Sequence, residues 1–399
     1  MPAGEPLAGA PARFEFATAT RVVFGAGVAR ELPTLTAAHG RRVLLVTGAR
    51  PERHAAVVAA LRGAVDAVEE LRVAGEPTVD LAESGAARAR ASSCDVVVAI
   101  GGGSAIDAGK AIAALAANPG AALDYLEVVG RGRPLAHPSL PFLAVPTTAG
   151  TGAEVTRNAV LAVPAARVKV SLRSASMLPG VALVDPALAL DLPSAITAAT
   201  GLDALTQLIE PFLSCRANPF VDALCRDGLA RVARALPVAV RSPHDLMARS
   251  DLALGALYSG MALANAGLGA VHGFAAPIGG EFSAPHGAVC AALLPDVLAT
   301  NLAALRARAP GHPALVRCDE LARLLTGRSD ASADEAVTFC RTLVRDLGVP
   351  GLGAWGVTAA SLGEIADKAA AASSMKANPL PLTRDELIAI LARALAPTA

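Results

Sequence analysis

Asp203, His272 and His286 carry donor atoms of the kinds a divalent ion takes. Asp203 and Gln207 stand four apart, so on a helix they share one face. His272 lies in an apolar stretch that Pro277-Ile-Gly-Gly280 is expected to break, and His286 opens the next apolar run after Pro285. Two imidazoles brought from two helices onto the carboxylate of a third could hold a metal and leave a position open. Each residue also has an ordinary reading. A helical aspartate is commonly a solvated or capping group, and a histidine amid apolar residues a hydrogen-bonded core group. His39, His54, His137, His244 and His312 fall in loops or on polar faces and receive no role.

A second pattern lies upstream. Val96 to Ile100 is an unbroken apolar run, which predicts a strand covered on both faces, as in a parallel sheet. Gly101, Gly102 and Gly103 follow, then Ser104 as the expected N-cap and Asp107 in the first turn of an apolar helix. Strand, glycine turn, helix presents free backbone N–H groups to an anion, and glycine lets the backbone approach a phosphate. The pattern is neither G-x-G-x-x-G nor a P-loop, and a tight turn that binds nothing has the same local sequence.

The elements that must position these residues divide the chain. Phe14-Glu-Phe16 and Arg21 to Phe24 predict two short strands, and Gly25-Ala-Gly27 leads into a helix to about Ala38. Strands are expected over Arg42 to Thr47, at the end of Val65 to Val73, and over Phe142 to Pro146, Val155 to Val163, Val168 to Leu172 and Val181 to Asp185. Helices follow Pro51 and Thr78, the latter a capping residue. From Pro193 onward, Ala/Leu-rich helical periodicity replaces the strand signals, with pauses at Pro219, Pro243, Pro277 and Pro310. The reading is an α/β N-terminal nucleotide-binding domain over 1–192 and an all-α C-terminal domain over 193–399. A ligand is expected between them, at the carboxyl ends of the strands.

Composition narrows the class. The 399 residues are 53% hydrophobic but only 3% aromatic, so cores of small residues are expected. Lys+Arg and Asp+Glu both number 35, a zero formal charge that points to neither nucleic acid nor a membrane surface. No membrane-spanning helix is expected, and residues 1–13 lack the order of a signal peptide. Six cysteines, Cys94, Cys215, Cys225, Cys290, Cys318 and Cys340, are scattered without a C-x-x-C pair, as buried reduced thiols of a cytoplasmic protein would be.

Four ordered motifs then bear on identity. They are Gly101-Gly-Gly-Ser-Ala-Ile-Asp-Ala-Gly-Lys110, Pro146-Thr-Thr-Ala-Gly-Thr-Gly-Ala-Glu-Val155, Gly201-Leu-Asp-Ala-Leu-Thr206, and His272 with Pro285-His286-Gly287. In these motifs the chain resembles the iron-containing (group III) alcohol dehydrogenases, of the dehydroquinate synthase-like superfamily, from about Phe14 onward. The resemblance implies NAD(P)-dependent hydride transfer between nicotinamide and a small alcohol or carbonyl compound. It also implies a divalent metal, Fe2+ or Zn2+, and a homo-oligomer such as a dimer. By motif match it implies that Gly102, Gly103 and Ser104 hold the pyrophosphate, with Gly48 and Asp107 at the cofactor. Thr147, Thr148 and Thr151 would line the cofactor and Lys169 would lie near the ribose. Asp203, Gln207, His272 and His286 stand at the four metal-ligand positions, and Asp203, His272 and His286 form the catalytic set.

Two departures from the family pattern stand out. Position 207 is a histidine in metal-dependent relatives and is glutamine here, a weaker and harder donor that predicts lower metal affinity, a changed preference or loss of the metal. Many relatives carry a further histidine where this chain has Ala276, which removes a proton relay through that position. Directly after the second strand stands Gly48 rather than a carboxylate that would repel a 2′-phosphate, and Arg50 and Arg53 follow, so NADP(H) is expected to be tolerated. The alternative enzyme within the superfamily is a metal-independent reductase resembling the maleylacetate reductases; the alternative of a different class is a non-catalytic or lyase-like relative that keeps the fold. Phe220, Phe282 and Asn158 are placed by position at the substrate pocket.

Overall fold

A computed structural model describes residues 13–282 and 284–396. Its first half is a six-stranded sheet with every pair parallel. The strands are β1 (Arg21–Phe24), β2 (Arg42–Thr47), β3 (Ala67–Arg72), β4 (Val96–Gly101), β5 (Phe142–Pro146) and β8 (Val181–Val184). Their order across the sheet is β1-β8-β5-β4-β2-β3. Every residue of β4 and β5 is buried, which is why these segments read as continuous apolar runs rather than alternating ones. Between β5 and β8, β6 (Asn158–Val163) and β7 (Val168–Arg173) form a separate antiparallel pair.

The helices of this half are α1 (Leu32–Ala37), α2 (Ala55–Arg62), α3 (Val79–Ala91) and α4 (Gly103–Ala117). Thr78 caps α3 as expected, its Oγ1 accepting from Leu81 N at 3.2 Å. The chain runs from β2 outward to β3 and from β4 in the opposite direction to β5. The sheet therefore reverses its winding between β2 and β4, and a crevice opens there at the strands' carboxyl ends.

From Ser194 the chain is helical: α5 (Ser194–Leu213), α6 (Pro219–Arg241), α7 (Leu246–Ala266), α8 (Ala270–Glu281), α9 (His286–Arg308), α10 (Pro313–Thr326), α11 (Ala333–Asp346), α12 (Leu362–Ala371) and α13 (Arg384–Ala394). One large core joins α5 through α13, and it is built largely from Ala and Leu. By length and composition α9 is apolar enough to cross a membrane, but 78% of its most apolar window is buried among the other helices. It is the core helix of this bundle.

Several expectations are corrected. Phe14 to Phe16 form no strand: the N–H and carbonyl of the adjoining Ala17 bond the Asn265 side chain at 2.7 and 2.9 Å, away from the sheet. Phe220 is exposed and stacks on Phe14 and Phe16, with centroids 5.6 and 5.5 Å apart. It packs that N-terminal segment rather than lining a pocket. Ser104 is not the N-cap of α4, which begins a residue earlier with Gly102 in that place, and Asp107 falls beyond the first turn. Residues before Asn158 turn as a short 3-10 segment, so β6 is shorter than the predicted strand. Pro277 does not end its helix either. A proline removes one hydrogen bond, and α8 continues to Glu281 with Phe282 N closing on Ile278 O at 2.8 Å. Gly279 and Gly280 serve packing: a Cβ on Gly280 would stand 2.9 Å from the Val168 Cα. Of the thiols, Cys225, Cys290, Cys318 and Cys340 are buried, but Cys94 is partly exposed and Cys215 exposed.

Candidate functional site

The crevice is lined by backbone. Gly48, directly after β2, donates to Ile100 O at 3.2 Å, and a Cβ on Gly101 would lie 3.1 Å from Gly48 N. The two strand ends are thus in van der Waals contact. The N-cap Gly102 has no side chain to close the helix start, and the first-turn N–H groups of Gly103 and Ser104 have no carbonyl one turn earlier in α4. Helix α4 therefore aims unpaired donors and the positive end of its dipole at the crevice.

Opposite stands the loop 147–152. Thr147 N donates to Gly101 O at 2.9 Å. A Cβ on Gly102 would meet Thr148 Cγ2 at 3.3 Å, and one on Gly103 would meet Thr151 Oγ1 at 2.8 Å. Gly102 and Gly103 are therefore small because the threonines lie against them.

Beneath this loop sits a residue that sequence reasoning left without a role. Lys110 is almost wholly buried, and its ammonium donates to Ala153 O at 3.0 Å, to Thr156 Oγ1 at 2.9 Å and to Asn158 O. It also pairs with Asp107 at 3.0 Å, while the other Asp107 oxygen accepts from Val160 N at 3.1 Å. Asp107 thus spends both oxygens inside the protein, and Asn158 contributes its carbonyl to the same knot. Glu154 is buried nearby, and burial, only partly offset by Lys110, pushes its carboxyl up to about 7. Lys169 lies against Gly279 of α8, its ammonium 3.2 Å from Glu76 Oε1.

The threonine loop joins the crevice to the helices. Gly150 O faces the Gln207 Nε2 at a long 3.5 Å and accepts from Ser259 Oγ at 3.3 Å. Gly152 adopts φ +59, and a Cβ there would stand 2.4 Å from the Gly260 Cα of α7. Only a pair of glycines permits that crossing.

Behind Gln207 the donors converge. Asp203 Oδ1 lies 3.4 Å from His272 Nε2 and 3.5 Å from His286 Nε2. Asp203 and His272 are buried, and the His286 side chain is 36% exposed, so the cluster is reached from one side. Asp203 Oδ1 is buried without a hydrogen-bond donor, as is Gln207 Oε1. Orphaned buried oxygens of this kind fit a bound cation. The structure thus brings Asp203, His272 and His286 together, with Gln207 one helical turn from Asp203.

Two further residues complete the cluster. Glu210, on the same helix as Asp203, accepts from His272 Nδ1 at 2.6 Å and from Val271 N at 2.7 Å. A carboxylate only accepts, so Nδ1 carries a proton, and once the ring gives up its second proton Nε2 faces the cluster with its lone pair. The same carboxylate caps α8 together with Asn378 Oδ1, which accepts from Ala270 N at 3.2 Å. Cys290 stands one turn after His286 on α9, with Sγ 3.7 Å from both His272 Nε2 and His286 Nε2. The spacing His-x-x-x-Cys could have revealed it; nothing local marked Glu210.

Electrostatics hold the group together. Burial works to raise the Asp203 carboxyl, but the facing His286 and His272 outweigh it and keep it below the usual range. Burial works to lower His272, and the Cys290 sulphur, Glu210 and Asp203 outweigh it, so the ring titrates well above its ordinary value. The Cys290 sulphur first, then Asp203 against the opposing effect of burial, raises His286 to about 9.

Two family models match nearly the whole described chain. The model of iron-containing alcohol dehydrogenase matches residues 19–186, and that of the C-terminal part of the Fe-containing alcohol dehydrogenase family matches residues 197–395. The chain belongs to the iron-containing alcohol dehydrogenase family. It is similar to the 1,3-propanediol dehydrogenase of Klebsiella pneumoniae, at 36% identity over 89% of this chain and 92% of that protein. It is likewise similar to the probable alcohol dehydrogenase EutG of Escherichia coli (strain K12), at 35% identity over 80% of this chain and 78% of that protein. Among solved structures, a 1,3-propanediol oxidoreductase superposes with a TM-score of 0.88 at 32% identity, covering 96% of this chain and 100% of that one. A sulfoacetaldehyde reductase from Bifidobacterium kashiwanohense in complex with NAD+ superposes with a TM-score of 0.84 at 28% identity, covering 96% and 99%. As a member of this family, the protein is an oxidoreductase acting on CH–OH groups. Its parallel α/β half and helical half are the architecture of these enzymes.

Proposed function

We propose that the protein interconverts a small alcohol and its aldehyde or ketone with a nicotinamide nucleotide, using a divalent ion held at Asp203, His272 and His286. The observation that carries this is the convergence of both histidine Nε2 atoms within 3.5 Å of Asp203 Oδ1, behind the loop whose other face closes on the glycine turn. When bound, the nucleotide accepts or delivers hydride and the ion polarises the substrate oxygen.

The chain's own groups do the rest. The backbone of Gly102, Gly103 and Ser104 receives the pyrophosphate at the start of α4, with Gly48 beside it; Asp107, expected at the cofactor, instead ties Lys110 and Val160 N together. Thr147, Thr148 and Thr151 fix the nucleotide's depth, and Lys169 stands toward the ribose. Asp203 supplies the negative charge of the ligand set. Glu210 holds the His272 proton on Nδ1, so the neutral ring presents the Nε2 lone pair to the ion. The Gln207 amide, held toward Gly150 O, keeps its Oε1 free to complete the sphere or to accept from a water. The buried surroundings of Asp203 and His272 exclude solvent from the reacting centre. Ala276 offers no proton, so protons leave along water at the exposed side of His286.

Arg50 and Arg53 are exposed beside Gly48, and Arg72 of the neighbouring strand donates to Ala49 O. This positive rim favours acceptance of a 2′-phosphate. The test is metal analysis of protein purified without added metal, then an aldehyde panel with NADH and NADPH before and after chelation. Metal-dependent turnover with both nucleotides is expected. Activity that survives complete metal removal supports the metal-independent reductase instead, and failure to bind either nucleotide in calorimetry supports a non-catalytic protein. A preference for NADH above about a hundredfold, roughly 2.7 kcal/mol, removes the role given to the arginines.

A further inference from the structure

Gln207 leaves the proposed metal set one strong donor short, and Cys290 is placed to make up the difference. Its thiol is wholly buried and lies on the α9 face that carries His286. One ligand atom from each of Asp203, His272, His286 and Cys290 falls within a sphere where all lie within 4.8 Å of one another. The individual separations are more telling. A tetrahedral ion with bonds of about 2.1 Å to nitrogen and oxygen and about 2.3 Å to sulphur implies edges of about 3.4 Å between N and O and about 3.6 Å between N and S. The structure has 3.4 and 3.5 Å for the N–O edges and 3.7 Å for both N–S edges.

We propose that Cys290 is the fourth metal ligand, as a thiolate, giving an Asp-His-His-Cys sphere in which Gln207 is not the fourth donor. The inference rests on the metal-dependent reading above and goes beyond it in the donor set and the ion it selects. On coordination the sulphur–metal bond replaces the S–H bond, and the proton passes to solvent. With Asp203 and the thiolate both anionic, the sphere neutralises a divalent ion. A soft thiolate favours zinc over ferrous ion beyond the preference of a nitrogen and oxygen set. A substrate hydroxyl reaches the ion as a fifth ligand, and the Gln207 Oε1 remains as an acceptor for it.

X-ray absorption on the zinc-loaded native protein tests the sphere without any variant: one sulphur neighbour at about 2.3 Å is expected. The cobalt-substituted protein should show a thiolate-to-cobalt charge-transfer band in the near ultraviolet, absent from Cys290→Ser and retained by Gln207→Ala. Cys290→Ser should also weaken zinc binding by more than about tenfold, the least that loss of an outer partner brings, and narrow the zinc-over-iron ratio. A zinc site bounded by nitrogen and oxygen alone, or unchanged zinc affinity in Cys290→Ser, overturns the proposal and leaves the metal-dependent dehydrogenase standing. No bound metal under any loading condition overturns both.

Discussion

The glycine turn and the donor cluster are built on opposite plans. At the turn, the chemistry belongs to the backbone, and the side chains have been reduced to nothing so that Thr148 and Thr151 can close on Gly102 and Gly103. At the cluster, the chemistry belongs to side chains from three helices, and the backbone serves only to bring α5, α8 and α9 together. The first tolerates no added atom. The second tolerates no missing charge, because Asp203, His272 and Glu210 are buried and each is held by the others. The two meet at the loop 147–152, through Gly150 and Gln207.

If the regions are independent, mutations in one should spare the binding function of the other. Asp203→Ala gives the largest effect. It should abolish stoichiometric metal binding and lower kcat/KM about a thousandfold, about 4 kcal/mol, while nucleotide affinity in calorimetry changes little. Collapse of both affinities would show that the sites are one cooperative unit. Glu210→Gln comes next: it replaces the acceptor that fixes the His272 tautomer, and metal affinity should fall about 10- to 100-fold with the fold intact by circular dichroism. Gly103→Ala tests the other side. A Cβ 2.8 Å from Thr151 Oγ1 should loosen nucleotide binding by about tenfold and leave metal content unchanged.

The smallest effect concerns the buried Glu154. Its folded-state carboxyl is raised to about 7 from an ordinary 4.5, so the fold binds that proton more tightly than the unfolded chain does. Stability from this group is present at low pH and is lost as pH rises through about 7, by an amount on the order of 3 kcal/mol. Glu154→Gln should therefore flatten the fall in Tm between about pH 4.5 and 7, and an unchanged profile would place the buried charge elsewhere.

Much of the turn was legible because it is local: apolar run, glycines and helix are contiguous, and each local preference agrees with the fold. Its details were not. Residue type favours Ser104 as the N-cap, but packing against Thr148 gives that place to Gly102. Pro277 signals a helix end, but the contact of Gly279 and Gly280 with β7 carries α8 past it. Position in the sequence places Phe220 at a pocket, and it covers Phe14 and Phe16 instead. Lys110 and Glu154 drew no attention because burial of a charge is invisible until the loop is folded over it.

By itself the sequence determined the alternation that becomes a parallel sheet, the glycine positions, and the pairing of Asp203 with Gln207 on one face, since period and spacing are properties of a single segment. Tertiary structure alone decided that His272 and His286 meet Asp203, that Glu210 orients one of them, and that the Cys290 sulphur stands beside both rings. Those are distances between helices whose crossings are set by side-chain packing across the whole bundle, and no one segment encodes them.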